Sequence, residues 1–125
     1  ATGPTAEEVR ATLGPGVLLG YSAHAPAEAR DAFERGIAYV TASPVFAAEK
    51  PWGTPQSIGL DGLRAFCRGV PGRPVVALGG IDVDNAAAAI AAGAVGVAAI
   101  RSVFDGDPAA NVRRLLRAIG NASEV

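Results

Sequence analysis

Apolar and polar positions alternate along this chain in blocks. Short continuous apolar runs stand between longer stretches of helical period, the pattern of strands buried on both faces and joined by amphipathic helices. Residues 5–13 read as a helix with no strand before it. Val17-Leu18-Leu19-Gly20 reads as the first strand. Residues 26–33 form a helix that opens on Pro26 and is ended by Gly36, the asymmetry that helix ends favour. A second strand follows at 37–41. Residues 42–59 hold Pro44, Pro51, Gly53, Pro55 and Gly59, which excludes one regular element. A helix over 60–70 places Leu63, Phe66 and Val70 on one face. The third strand, 74–78, ends at Gly79-Gly80. Asp82 or Asp84 caps a helix over 85–92, closed by Gly93. A fourth strand, 95–100, precedes a last helix that Asp107-Pro108 opens and that runs through Ile119. Arg113, Arg114 and Arg117 lie toward its end, where the helix dipole favours cations.

Strand followed by helix, repeated, predicts an α/β fold with a parallel sheet. A faint internal repeat supports this: residues 28–42 and 85–99 share the order helix, glycine, strand, with Gly36 matching Gly93. The expected architecture is the C-terminal half, about four βα units, of a (β/α)8 TIM barrel. Residues 1–125 then form one partial barrel domain: strands five to eight with their helices, preceded by the helix before strand five. A complete barrel needs eight strands and ~250 residues, so the chain is either a fragment or completed by another chain. An open doubly wound sheet is the alternative, but no GxGxxG or GxxxxGK[ST] fingerprint follows the first strand. The apolar inner face of a half-barrel is expected to drive association, with an N-terminal half-barrel or a second copy of the chain as partner.

Composition narrows the function classes. Of 125 residues, 50% are hydrophobic and 18% charged, and the formal net charge is −1. That balance argues against nucleic acid or an anionic membrane as partner. Cys67 is the only cysteine, which excludes an intrachain disulfide or a cysteine metal cluster; it reads as a small apolar residue of a helix. The longest apolar run, 86–100, is broken by Gly93 and Gly96 and falls short of the ~20 residues of a membrane span. With no signal peptide evident, the expectation is a soluble cytoplasmic protein.

Barrel chemistry sits in the loops at the C-terminal ends of the strands, with phosphate often held after strands seven and eight. His24, the only histidine, follows the first strand; it either moves protons or hydrogen-bonds its own turn. Lys50, the only lysine, lies in the long second loop, either facing an anion or simply solvated. Gly79-Gly80-Ile81 strips side chains from a strand-to-helix turn, exposing N–H groups to an anion or serving only as a tight turn. Arg101-Ser102-Val103 offers further donors. Two donor loops after the last two strands together favour a phosphate site.

"GYSAH", "YVTASPVFAAEKPWG", "IGLDGL", "PVVALGGID" and "GAVGVAAIRSVF" stand in the order and spacing of one family. The chain resembles thiamine phosphate synthases and the TenI-like thiazole tautomerases, from about Gly3 to Val112, over the second half of a family member. The resemblance implies a (β/α)8 barrel that binds a thiazole phosphate at its mouth. Gly79, Gly80, Arg101 and Ser102 match the positions that hold the phosphate, largely through backbone N–H groups. Synthases of the family join an aminopyrimidine diphosphate to thiazole phosphate with magnesium and release pyrophosphate; tautomerases shift a proton on a thiazole carboxylate phosphate and need no metal or other cofactor.

Two departures favour the tautomerase branch. Synthases usually carry threonines ahead of the loop lysine to hold pyrophosphate, where this chain has Ala47-Ala48-Glu49-Lys50. Methyl groups and a carboxylate are poor ligands for a polyanion. Arg101 also replaces the serine usual in synthases at the start of the last loop. The resemblance therefore implies His24 as acid–base group, Ser22 orienting it or the substrate, and Lys50 neutralising the substrate carboxylate, with no metal site. The alternatives are the synthase, with magnesium carboxylates drawn from the first half of the barrel, and a non-catalytic binding or regulatory protein.

Overall fold

The computed structural model describes residues 3–46 and 56–123. Its elements are α1 (Ala6–Leu13), β1 (Gly20–Ala23), α2 (Pro26–Glu34), β2 (Tyr39–Ala42), α3 (Gly59–Gly69), β3 (Val75–Leu78), α4 (Ala86–Ala91), β4 (Gly96–Ala98), α5 (Arg101–Phe104) and α6 (Pro108–Ser123). The four strands form one sheet in the order β1-β2-β3-β4, and each neighbouring pair is parallel. A doubly wound sheet reverses its order at a switch point. An order that never reverses is that of consecutive units of a barrel, as the sequence predicts.

Local chemistry sets the elements. Thr5 caps α1 by accepting from the Glu8 N–H at 3.1 Å, and Pro26 opens α2 with the fixed φ a helix start tolerates. Alternation along the strands then sorts the side chains. Ala23, Val40, Ala42, Val75 and Ala77 are buried against the buried faces of α2 (Ala29, Ala32, Phe33), α3 (Leu63, Phe66) and α4 (Ala86, Ala89). Leu63 and Phe66 are the largest fully buried side chains, each contributing about 1.5–3 kcal/mol of transfer free energy. Small residues elsewhere let the helices come close: a Cβ on Gly93 would lie 2.9 Å from that of Cys67.

The opposite face of the sheet, carrying Ser22, Tyr39, Thr41, Val76 and Leu78, has no buried residue. This is the face that a barrel turns inward. Edge strands β1 and β4 are each paired on one side, and exposed Leu18, Val95, Ile100 and Phe104 flank them.

Several boundaries move by one or two residues, β2 to Tyr39–Ala42 among them, and three differences have a plain local cause or extent. The first strand lies at Gly20–Ala23 instead of 17–20. The ring of Tyr39 lies over Gly20, where a Cβ would come within 2.3 Å of it, so glycine opens the ladder and the apolar run before it stays outside. The fourth strand shortens to Gly96–Ala98, because Ile100 and Arg101 turn into the unforeseen one-turn helix α5. The last helix continues to Ser123.

Candidate functional site

Parallel strands bring their C-terminal ends to one rim. Register makes this specific: Ala23 stands opposite Ala42, Ala42 opposite Ala77, and Leu78 opposite Ala98. His24, Ser43, Gly79 and the start of α5 therefore succeed one another along the rim.

The turn after β3 is held carbonyl by carbonyl. The Val45 N–H donates to the Leu78 carbonyl at 2.9 Å, and the Phe46 N–H to that of Gly79 at 3.0 Å. Asn85 Nδ2 donates to the Gly80 carbonyl at 2.9 Å, and Ser102 Oγ to that of Ile81 at 2.7 Å. In a trans peptide the N–H points opposite to its C=O. The N–H groups of Gly79, Gly80 and Ile81 are consequently turned away from the groups that hold the preceding carbonyls. Among the described residues none of the three has an acceptor.

Both glycines are required here. Gly79 has φ 108° and Gly80 has φ 65°; a Cβ on Gly79 would lie 2.7 Å from Pro44 Cα, and one on Gly80 3.0 Å from Phe46 O. The second donor loop begins α5, whose first N–H groups, Arg101 and Ser102, also lack an acceptor among the described residues, as a helix start does within its own helix. The Ser102–Ile81 bond ties the two loops together. Open N–H groups on adjacent strand ends form a cup suited to an anion. The Arg101 side chain is exposed at its rim and makes no ion pair among the described residues.

His24 is fixed across the β1–β2 junction. Its Nδ1 lies 3.0 Å from the carbonyl oxygen of buried Ser43. A carbonyl only accepts, so Nδ1 carries the proton, which leaves Nε2 as the ring nitrogen without a partner among the described residues. The ring thus bonds a neighbouring strand end and not its own turn. A cleft of about 510 Å³ opens there, lined by His24, Ser43, Pro44, Gln56, Ser57 and Ile58, within the size range of small-molecule sites.

Ser22 lies on the inner sheet face, opposite Thr41, and makes no side-chain hydrogen bond among the described residues. The group that orients His24 is the Ser43 carbonyl. Lys50 lies outside the described residues, as do Ala47, Ala48, Glu49 and Trp52. Cys67 lies on α3 against Gly93, and burial pushes its thiol pKa up. Among the described residues no group of three or more His, Cys, Asp and Glu could hold a metal ion. No helix among the described residues is long and apolar enough to cross a membrane. A second cleft, of about 400 Å³, lies between α1, α2 and the edge strand β1, and none of the rim residues lines it.

Sequence reasoning did not find Asn85, the Ser43 carbonyl, Gln56 or Ser57. For Asn85 a signal existed: Asp82 and Asn85 have the three-residue spacing of a capping box. Asp82 Oδ1 accepts from the N–H of Asp84 and Asn85 at 2.9 and 3.1 Å, and Asn85 Oδ1 accepts from the Asp82 N–H at 2.8 Å. The N-cap of α4 is Asn85, without a side-chain cap bond of its own; of the two aspartates weighed as caps, neither stands at that position, and Asp82 instead holds the turn before the helix.

Comparison with known proteins bears on the family and the fold. The thiamine monophosphate synthase family model matches residues 3–103. The thiamine-phosphate synthase of Moorella thermoacetica is 43% identical over 114 residues, 90% of this chain and 54% of that protein. That of Gloeobacter violaceus is 45% identical over 96 residues, 76% of this chain and 27% of its own length. Among solved structures, thiamine phosphate pyrophosphorylase from Pyrococcus furiosus is 30% identical with a TM-score of 0.79, over 91% of this chain and 54% of that one. A native KDPGal structure shares the fold alone, 20% identical at a TM-score of 0.77, over 98% of this chain and 57% of that one. The chain spans about half the length of the Moorella relative and less of the Gloeobacter one. Its four-stranded sheet is a half-barrel of the thiamine phosphate synthase fold.

Proposed function

The chain belongs to the thiamine monophosphate synthase family, and from that premise we propose that it supplies the phosphate-holding half of a barrel that joins an aminopyrimidine diphosphate to thiazole phosphate. The observation that carries this reading is the cup itself: the N–H groups of Gly79, Gly80 and Ile81, without an acceptor among the described residues and tied through Ser102 to those of Arg101 and Ser102.

In this reaction the thiazole ring nitrogen forms a C–N bond to the pyrimidine methylene carbon as the C–O bond to the diphosphate breaks. Pyrophosphate leaves, and no residue need bond covalently to substrate. The chain's contribution is orientation: the cup fixes the thiazole phosphate, the Arg101 guanidinium reaches the same anion, and His24 lines the neighbouring cleft. Magnesium would neutralise the leaving diphosphate. Its carboxylate ligands would come from the other half of the barrel, and no step of this chain's residues depends on it.

A second reading, the thiazole tautomerase, is favoured by Ala47-Ala48-Glu49 ahead of Lys50, a loop short of donors for a diphosphate. There the open Nε2 of His24 would take a proton from one ring atom and return it to another. Ser22 would meet the substrate, and Lys50 its carboxylate. The relatives reported above bear the synthase name, which is why the synthase stands first. In either case we place the enzyme in the cytoplasm.

Phosphorus NMR separates the readings. The synthase predicts pyrophosphate and thiamine phosphate from the two substrates with magnesium. Isomerisation of the thiazole carboxylate phosphate without pyrophosphate would establish the tautomerase instead. Binding of thiazole phosphate with neither reaction would make the protein a binding or regulatory one.

A further inference from the structure

We propose that Asn85 is a positioning residue for the anion cup, acting through the Gly80 carbonyl; the proposal rests on the phosphate-binding reading above. Four successive carbonyls, Leu78 to Ile81, are held around the cup. Three are held by groups that pack there for other reasons: two backbone N–H groups of the segment after β2, and a serine of the second donor loop. Among the described residues the Gly80 carbonyl is held by the Asn85 amide alone, at 2.9 Å.

That peptide most needs a fastener. Gly79 and Gly80 both have positive φ, and glycine rotates its flanking peptides at little steric cost. Rotation of the 80–81 peptide would swing the Ile81 N–H out of line with those of Gly79 and Gly80. Asn85 prevents this with one planar group. Oδ1 accepts from the Asp82 N–H at 2.8 Å while Nδ2 donates to Gly80, so the amide spans the turn from both ends. The backbone N–H of Asn85 is itself anchored on Asp82 Oδ1 at 3.1 Å, and Asn85 is half-buried. A side chain needed only to start α4 would have no use for the donor arm; any acceptor would serve.

Asn85 touches no reacting atom in this arrangement, so its loss shows in binding and not in the chemical step. Removing one neutral hydrogen bond corresponds to roughly a three- to tenfold weaker affinity. The test is an amide-resolved NMR titration of the protein with inorganic phosphate, following Gly80, Ile81 and Ser102. Asn85→Ala and Asn85→Ser are compared with wild type and with Thr5→Ala, which removes the α1 cap at a distance from the cup. Asn85→Ser keeps a hydroxyl to support the turn but is too short to reach Gly80, and it stands in if the alanine variant does not fold. The proposal expects both Asn85 variants to bind phosphate several-fold more weakly, the free Ile81 amide to shift, and Thr5→Ala to bind as wild type. In turnover, KM for the phosphorylated substrate should rise with kcat nearly unchanged. Wild-type affinity in the Asn85 variants overturns the proposal while leaving the cup intact, as does equal weakening in Thr5→Ala, which would mark a general loss of stability. No phosphate-dependent shift in the wild type would instead overturn the cup, and the role of Asn85 with it.

Discussion

Ser102 Oγ donates to the Ile81 carbonyl at 2.7 Å, joining the first turn of α5 to the loop after β3 across 21 residues of sequence. Its hydroxyl proton is committed to that carbonyl, so Ser102 offers an anion its backbone N–H. Ser102→Ala should therefore cost about 1 kcal/mol of stability and weaken phosphate binding without abolishing it. Thermal melting and phosphate titration of the variant check this; unchanged values in both would mean that the bond ties nothing.

Glycine substitutions should rank by what a Cβ meets. Gly79→Ala combines φ 108° with a contact 2.7 Å from Pro44 Cα, whereas Gly72→Ala carries φ 73° into open space. The strain of the second alone is about 1–2 kcal/mol, and the first should exceed it, since backbone must shift. Urea midpoints give the order. Equal losses would show that the Pro44 contact yields freely.

Under the tautomerase reading, His24→Gln should lower turnover by at least about a hundredfold, the usual range for a general acid–base group, while phosphate affinity stays within twofold; under the synthase reading, where the ring only lines the cleft, the loss should be far smaller. The separation follows from place: His24 lies by Ser43 at the cleft, while the cup belongs to the loops after β3 and β4. Measuring kcat beside phosphate affinity tests it, and equal loss of both in a folded variant would put the ring in a structural role.

Burial raises the pKa of the Cys67 thiol. The folded chain thus holds less thiolate at mildly alkaline pH than the unfolded chain does. Alkylation at pH 8 should be slower in the folded protein and accelerate in denaturant. By linkage, a folded pKa above the unfolded one gives stability that is present below the unfolded value and lost as pH rises through the folded value. Equal rates with and without denaturant would contradict this placement.

Much of the architecture was legible because buried parallel strands write themselves as apolar runs: 37–41 overlaps the observed β2, which ends one residue later, and 74–78 contains the observed β3. The first strand was misplaced because an apolar run does not say which residues the neighbour's register takes up. Here the ladder begins where Tyr39 covers Gly20. Helix α5 has four residues, too few for any helical period to register. His24 was visible as a residue following a strand, but its partner, 19 residues on, depends on Ala23 standing opposite Ala42. Asn85 was counted as the first residue of a helix; its second bond exists only once the glycine turn brings the Gly80 carbonyl to it.

The most direct test is a crystal structure of the protein with thiazole phosphate bound. The phosphate should sit with its oxygens about 3 Å from the backbone nitrogens of Gly79 or Gly80 and of Arg101 or Ser102, with the thiazole ring toward His24. A phosphate held elsewhere, for example by Arg113 and Arg117 of α6, with the Gly79–Ile81 N–H groups facing only water, would contradict the assignment of this rim as the functional site.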